Sequence, residues 1–224
     1  MPDVMFDAYK DCVLYDNKND KNEGLVYRSL ELGSEKLLRL GTTQNGAETL
    51  ARLQALLLYQ SMQLFDHNLR PKSLAESRMG IFQQWTDHLS NIRDASAEFS
   101  EVGSERPATW KSWVFAESLR RTIIACWSLI TVVQMLKQET CAPGAWMGRQ
   151  PWTLSKSAWE AVSSFDFDRA WDTHPPEGIT CLELDGFLAK GKPDDVDEFG
   201  RCMLVIYVGL DATKEWFRNN GSVY

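Results

Sequence analysis

Apolar residues recur along this chain mostly at three- and four-residue steps, the period of a helix with one buried face. No run of β-branched residues alternates with polar ones as a half-buried strand would. The clearest stretch is residues 45–65, where Leu50, Leu53, Leu57 and Leu64 keep the period and Ala47 and Ala51 add helix propensity. Residues 4–14 predict a first helix begun at Asp3, and residues 24–40 a second one interrupted at Gly33. Pro71 sits where a first-turn proline is tolerated and opens a helix to about residue 91, carrying Leu74, Ile81, Phe82, Trp85 and Leu89.

Residues 109–136 predict one long central helix, a rod of about 40 Å at 1.5 Å per residue. It carries Trp110, Trp113, Glu117, Arg120, Arg121 and Trp127, and from Thr122 it is apolar on nearly every side, which predicts burial all round. Ala142-Pro143-Gly144 then forces a loop. Residues 154–162 and 165–171 predict short helical pieces that bring Trp152, Trp159, Phe165, Phe167 and Trp171 to the core. A break at residues 174–178 precedes a short amphipathic piece with Leu182, Leu184, Phe187 and Leu188. Residues 194–217 predict the last helix, with Phe199, Met203, Tyr207, Leu210 and Trp216 on its buried face. The expected fold is all-α: a single multi-helix domain over residues 1–224 with one long buried central helix.

Composition narrows the partners. A net charge of −7 opposes unaided binding to nucleic acid, since the only small basic cluster is Arg70, Lys72 and Arg78, read as a solvated helix start. The acidic run at residues 194–198 is likewise read as a solvated start, where carboxylates meet the positive end of the helix dipole. Five cysteines, odd in number and widely spaced, point to thiols used as small hydrophobes in a reducing compartment. The apolar run 122–136 is read as too short and interrupted to span a bilayer, so the expectation is an intracellular protein, nuclear or cytoplasmic.

Candidate chemistry is sparse. Glu117 and Arg121 lie one turn apart in the favourable order for an ion pair, and Arg120 shares a stripe with Trp110, Trp113 and Trp127. Two readings stay open: an internal charge cluster that ties the helix to its neighbours, or a ligand pocket lined by Arg120 and the rings. None of the three histidines lies at metal-site spacing from another histidine or a cysteine, and no metal or cofactor is expected. Asp66-His67 is a weak acid–base pair, and neither a nucleophile elbow nor a phosphate-cradling glycine loop occurs.

Four ordered segments carry a family resemblance. These are Leu50 to Gln60 with Leu64-Phe65-Asp66, Trp110 to Thr122 with its Trp-x-x-Trp spacing, Ala158-Trp159-Glu160-Ala161 with Phe167 and Ala170-Trp171, and Asp195 to Arg201 with Gly209-Leu210-Asp211 and Trp216. In that order, over roughly residues 45–217, the chain resembles the C-terminal regulatory region of fungal binuclear zinc-cluster transcription factors. The family's DNA reader needs six closely spaced cysteines, which these residues lack, so the resemblance does not imply DNA binding by this chain.

The resemblance implies a stand-alone regulatory-type domain in a fungal secondary-metabolite gene cluster, meeting a transcription factor or an apolar small molecule. The alternative is a cofactor-independent isomerase or cyclase that folds a polyketide- or terpene-like intermediate in a Trp-rich pocket. Trp85, Trp110, Trp113, Glu117, Arg120 and Trp127 would line that pocket, with Arg120 polarising a carbonyl. A cavity of about 300 Å³ or more beside Arg120 is what that alternative requires.

Overall fold

A computed structural model of the protein describes residues 1–96, 99, 102, 106–139 and 150–222. Helices dominate it, as the periodicity predicts. By contacts the chain divides into two units, Met1–Asp94 with Thr122–Ala142 and Ala95–Arg121 with Pro143–Tyr224.

The first unit holds α1 (Asp3–Asp16), α2 (Glu23–Leu40), α3 (Gly46–Leu64), α4 (Leu69–Ser77) and α5 (Met79–Asp94), together with the later turns of α6 (Trp110–Leu136). Helix α3 is its hub and packs against α1, α2, α4 and α5. The Asn45 side chain caps α3 by accepting from the amides of Ala47 and Glu48 at 3.0 and 3.1 Å. Leu50, Leu53, Leu56, Tyr59 and Leu64 are then buried along it.

Several expectations change here. Gly33 does not interrupt α2, which runs through it unbroken. It is the point of closest approach: a Cβ there would lie 2.4 Å from the Tyr59 hydroxyl and 2.6 Å from a carboxylate oxygen of Asp11. The helix expected over 71–91 is two helices with a break at Arg78. Arg78 is not a solvated cation either; it is buried, and its Nη1 donates to Ser34 Oγ on α2 at 2.6 Å. The sequence trio had hidden this because Arg70 and Lys72 are exposed. From Leu119 to Ile130 helix α6 is buried except for the partly buried Ala125 and Ser128, but its last turns expose Val132, Met135 and Leu136, so the burial expected all round does not reach its end. By length and composition α6 would suffice to cross a bilayer, with a mean hydropathy of 1.3 in its most apolar window, yet 56% of that window is buried inside the fold.

The second unit starts with the first turns of α6 and continues through β1 (Pro151–Leu154), α7 (Lys156–Trp159), α8 (Ser164–Thr173), β2 (Glu177–Thr180) and α9 (Asp185–Lys190). A 3-10 turn (Pro193–Asp195) then leads to α10 (Glu198–Val208) and α11 (Leu210–Asn219). The two strands form an antiparallel ribbon, with Pro151 opposite Thr180 and Leu154 opposite Glu177. No strand was expected. All four residues of β1 are buried, so it shows no alternation, and β2 has a glycine inside its four residues. Trp152 is thus a strand residue and not a helical one; it is fully buried, with its indole N–H donating to the Cys181 carbonyl at 3.0 Å.

The last helix is also divided. Gly209 takes φ +88°, a value that only glycine adopts without strain, and separates α10 from α11. The buried residues of this pair are Gly200, Met203, Leu204, Thr213 and Phe217, while the expected Leu210 is exposed.

Candidate functional site

The second unit gathers its charges around Glu117, whose side chain is wholly buried. A carboxylate in such a place needs donors on every lone pair, because an unpaired buried charge costs several kcal/mol, roughly. Helix geometry supplies two: Arg120 lies three residues on and Arg121 four, on the same face. One Glu117 oxygen accepts from Arg120 Nε at 3.0 Å and Nη2 at 2.9 Å. The other accepts from Arg121 Nε at 2.8 Å and from the backbone N–H of Thr153 at 2.9 Å.

Arg121 continues the network. Its Nη1 donates to Asp197 at 2.5 Å and its Nη2 to the Thr153 carbonyl at 3.0 Å. Its guanidinium carbon stands 4.2 Å above the Trp159 ring and 5.0 Å from that of Phe199, so the plane is clamped by rings while its edge is hydrogen-bonded. Asp197 is the N-cap of α10 and accepts from the Gly200 amide at 2.8 Å with its other oxygen. The acidic run is therefore not uniformly solvated: Asp197 is buried, and Asp194 and Glu198 are exposed. Two cations and two anions leave the cluster neutral.

Arg120 has no reach to spare. It is 3% exposed, and its Nη1 donates to the Phe99 carbonyl at 3.1 Å. Glu117 and Arg120 are thus brought together, and Trp113 joins a core of Phe167, Trp171, Ala158 and Ala170, with Trp110 and Trp159 at its margin. Trp113 meets Phe167 at 5.1 Å between ring centroids. Trp85 and Trp127 are buried in the first unit, so the second unit by itself does not assemble all six. Asp197, Thr153, Trp159 and Phe199 complete the cluster; the sequence places Trp159 and Phe199 in the core but ties none of the four to the Glu117 charges. A signal for Asp197 existed: Val196 before it and Phe199 after it make a surface position an odd choice.

The first unit carries a second polar hub at Asp66, immediately after α3. Its carboxylate accepts from the Tyr15 hydroxyl at 2.8 Å, the Tyr27 hydroxyl at 3.0 Å, the Asn68 amide at 2.8 Å and the Lys18 ammonium. Burial alone would raise this acid, but these donors, Lys18 first, outweigh it and hold the carboxyl at about 2. Lys18 is desolvated too, yet its bonds to Asp66 and Tyr27 push it above the ordinary lysine value. Its ammonium lies 4.6 and 4.8 Å from the centroids of the Tyr15 and Tyr27 rings. His67, the expected acid–base companion, is 77% exposed with Nδ1 3.5 Å from an Asp66 oxygen that is already shared.

Among the described residues, two cavities of about 400 Å³ each fall within a single unit. One, of about 420 Å³, is lined by Leu64, Phe65, Lys72, Glu76, Val133 and Leu136 among others. The other, of about 410 Å³, lies along α7 and α8, from Ser157 to Thr173. Neither is lined by Arg120 or by any of the candidate tryptophans.

No family model matches the chain, and no solved structure does. Among curated proteins it is similar to the transcription factor gsfR2 of Penicillium aethiopicum, with 28% identity over 233 aligned residues. The alignment takes in 99% of this chain and 55% of the relative, so the chain spans about half the length of the protein it matches. Along nearly its whole length, then, this mainly helical chain is similar to a fungal transcription factor.

Proposed function

We propose that the chain is a regulatory domain of fungal transcription control, acting in the nucleus or cytoplasm without itself reading DNA. The observation that carries this reading is the similarity to a transcription factor over 99% of the chain. The ordered tryptophan and arginine segments that resemble zinc-cluster regulators support the finer assignment to that family, and through it to secondary-metabolite gene clusters. In this reading Glu117, Arg120, Arg121 and Asp197 are architectural: they hold the first turns of α6 to β1 and α10. Trp85, Trp110, Trp113 and Trp127 shape the interior in the same sense.

The cyclase alternative gains no support from the cluster. The Arg120 guanidinium meant to polarise a carbonyl is already bonded to Glu117 and the Phe99 carbonyl. Transcript and metabolite profiling of a deletion strain tests the choice. Regulation predicts that a coherent set of transcripts falls or rises, whereas unchanged transcripts with an accumulated precursor overturn it in favour of an enzyme.

A further inference from the structure

Helix α1 is apolar on two opposite sides. Its inner side holds the buried Ala8 and Asp11, the latter bonded to Ser29 on α2 and Tyr59 on α3. At about 100° of turn per residue, Phe6, Tyr9 and Val13 fall on the far side of the helix. They are 57%, 60% and 47% exposed. With the exposed Pro2 they stand four, three and four residues apart, the spacing of a coiled-coil seam. A single exposed hydrophobic needs no explanation, but a seam of them along one helix marks a surface that meets another chain.

The charges beside the seam select that chain. Asp3 and Lys10 flank it on the same side, two helical turns apart. Lys10 is only loosely engaged within its own helix: it lies 3.8 Å from Asp7, whose carboxylate Lys36 holds at 2.7 Å. A second copy of α1 can be laid antiparallel, with Phe6 on the second copy's Tyr9 and Pro2 on its Val13. Each Lys10 then meets the other copy's Asp3, and the twofold axis makes the pair occur twice. Other arrangements lose this match. Sliding the second helix by one heptad sets Lys10 against Lys10 and Phe6 against Asp16, and parallel packing sets Lys10 against Met5.

We propose that the chain self-associates through α1 as an antiparallel homodimer. The helix has 14 residues and is about 21 Å long. Its contact therefore falls short of the roughly 1,200 Å² at which standard interfaces begin, and the dimer is a weak one that dissociates at about 10–100 µM. The contact belongs to α1 alone and does not depend on the regulatory reading.

Sedimentation equilibrium of the purified chain between about 1 and 500 µM tests this, since that range brackets the expected dissociation constant. The chain is expected to pass from monomer to dimer across it. Phe6→Glu and Tyr9→Glu should each weaken the dimer at least about thirtyfold. Their melting at about 1 µM should match that of the unaltered chain, because both rings are exposed. Asp3→Lys and Lys10→Glu should each weaken the dimer about tenfold, by setting like charges together twice. An equimolar mixture of these two variants should dimerise as well as the unaltered chain, because the two exchanges restore opposite charges across the contact. Salt should shrink the penalty of each charge variant. A chain still monomeric at about 500 µM, a dimer indifferent to Phe6→Glu and Tyr9→Glu, or charge variants that do not recover on mixing overturns the proposal.

Discussion

Removing the Glu117 carboxylate would strand two guanidinium groups and a peptide N–H inside the second unit. Glu117→Leu is therefore expected to cost about 3–5 kcal/mol, the range for breaking one side of a buried charge network. Urea unfolding measures it, and a loss under about 1 kcal/mol would contradict the network's role. Thr153 gives the opposite case. Its backbone is bonded on both sides, but its buried hydroxyl has no partner among the described residues. Thr153→Val should be neutral or stabilise by up to about 1 kcal/mol, since the orphaned hydroxyl leaves and the shape stays. Only half of this cluster was legible in the sequence. Glu117, Arg120 and Arg121 announce themselves by three- and four-residue spacing, a local rule. Asp197 lies 76 residues from Arg121, and no local pattern encodes that meeting.

Helices α1, α2 and α3 are tied by polar contacts that the apolar period does not reveal. Asp11 on α1 accepts from Ser29 on α2 at 2.7 Å and from Tyr59 on α3 at 2.8 Å, over the gap that Gly33 leaves. Gly33→Ala would push a methyl into the Tyr59 hydroxyl and should destabilise by about 1–3 kcal/mol. In the Tyr59→Phe background the penalty should shrink, and a double-mutant cycle with equal penalties in both backgrounds would sink the packing argument. Asp66 adds a pH dependence of known sign. Its carboxyl is held at about 2, below the ordinary value of 3.8, so its contribution is complete above that value and fades as pH falls through about 2. About 2 kcal/mol is at stake. Lys18, raised in the fold, contributes fully below its ordinary value and loses its share only on the alkaline side. Asp66→Asn should flatten the acid limb of a stability–pH curve; an unchanged limb would show that the carboxylate is not held as described. The helices themselves were readable from apolar spacing, whereas their breaks at Arg78 and Gly209 were not, because tertiary bonds and a left-handed φ decide them.

At the scale of the molecule, charge argues against unaided contact with DNA. With a net charge of −7, a gel-shift titration at physiological salt should leave a duplex unshifted at micromolar protein. A shift that persists as salt rises would overturn this expectation. The ribbon of the second unit bears on a different property. Thr153 turns its N–H and carbonyl toward Glu117 and Arg121, so side chains of a helix stand where a third strand would pair. Such a border gives a neighbouring chain nothing to zip onto. Weakening the acid or the arginine thus threatens more than unfolding: it uncovers a template for intermolecular sheet growth, and variants at these two positions should precipitate before they melt.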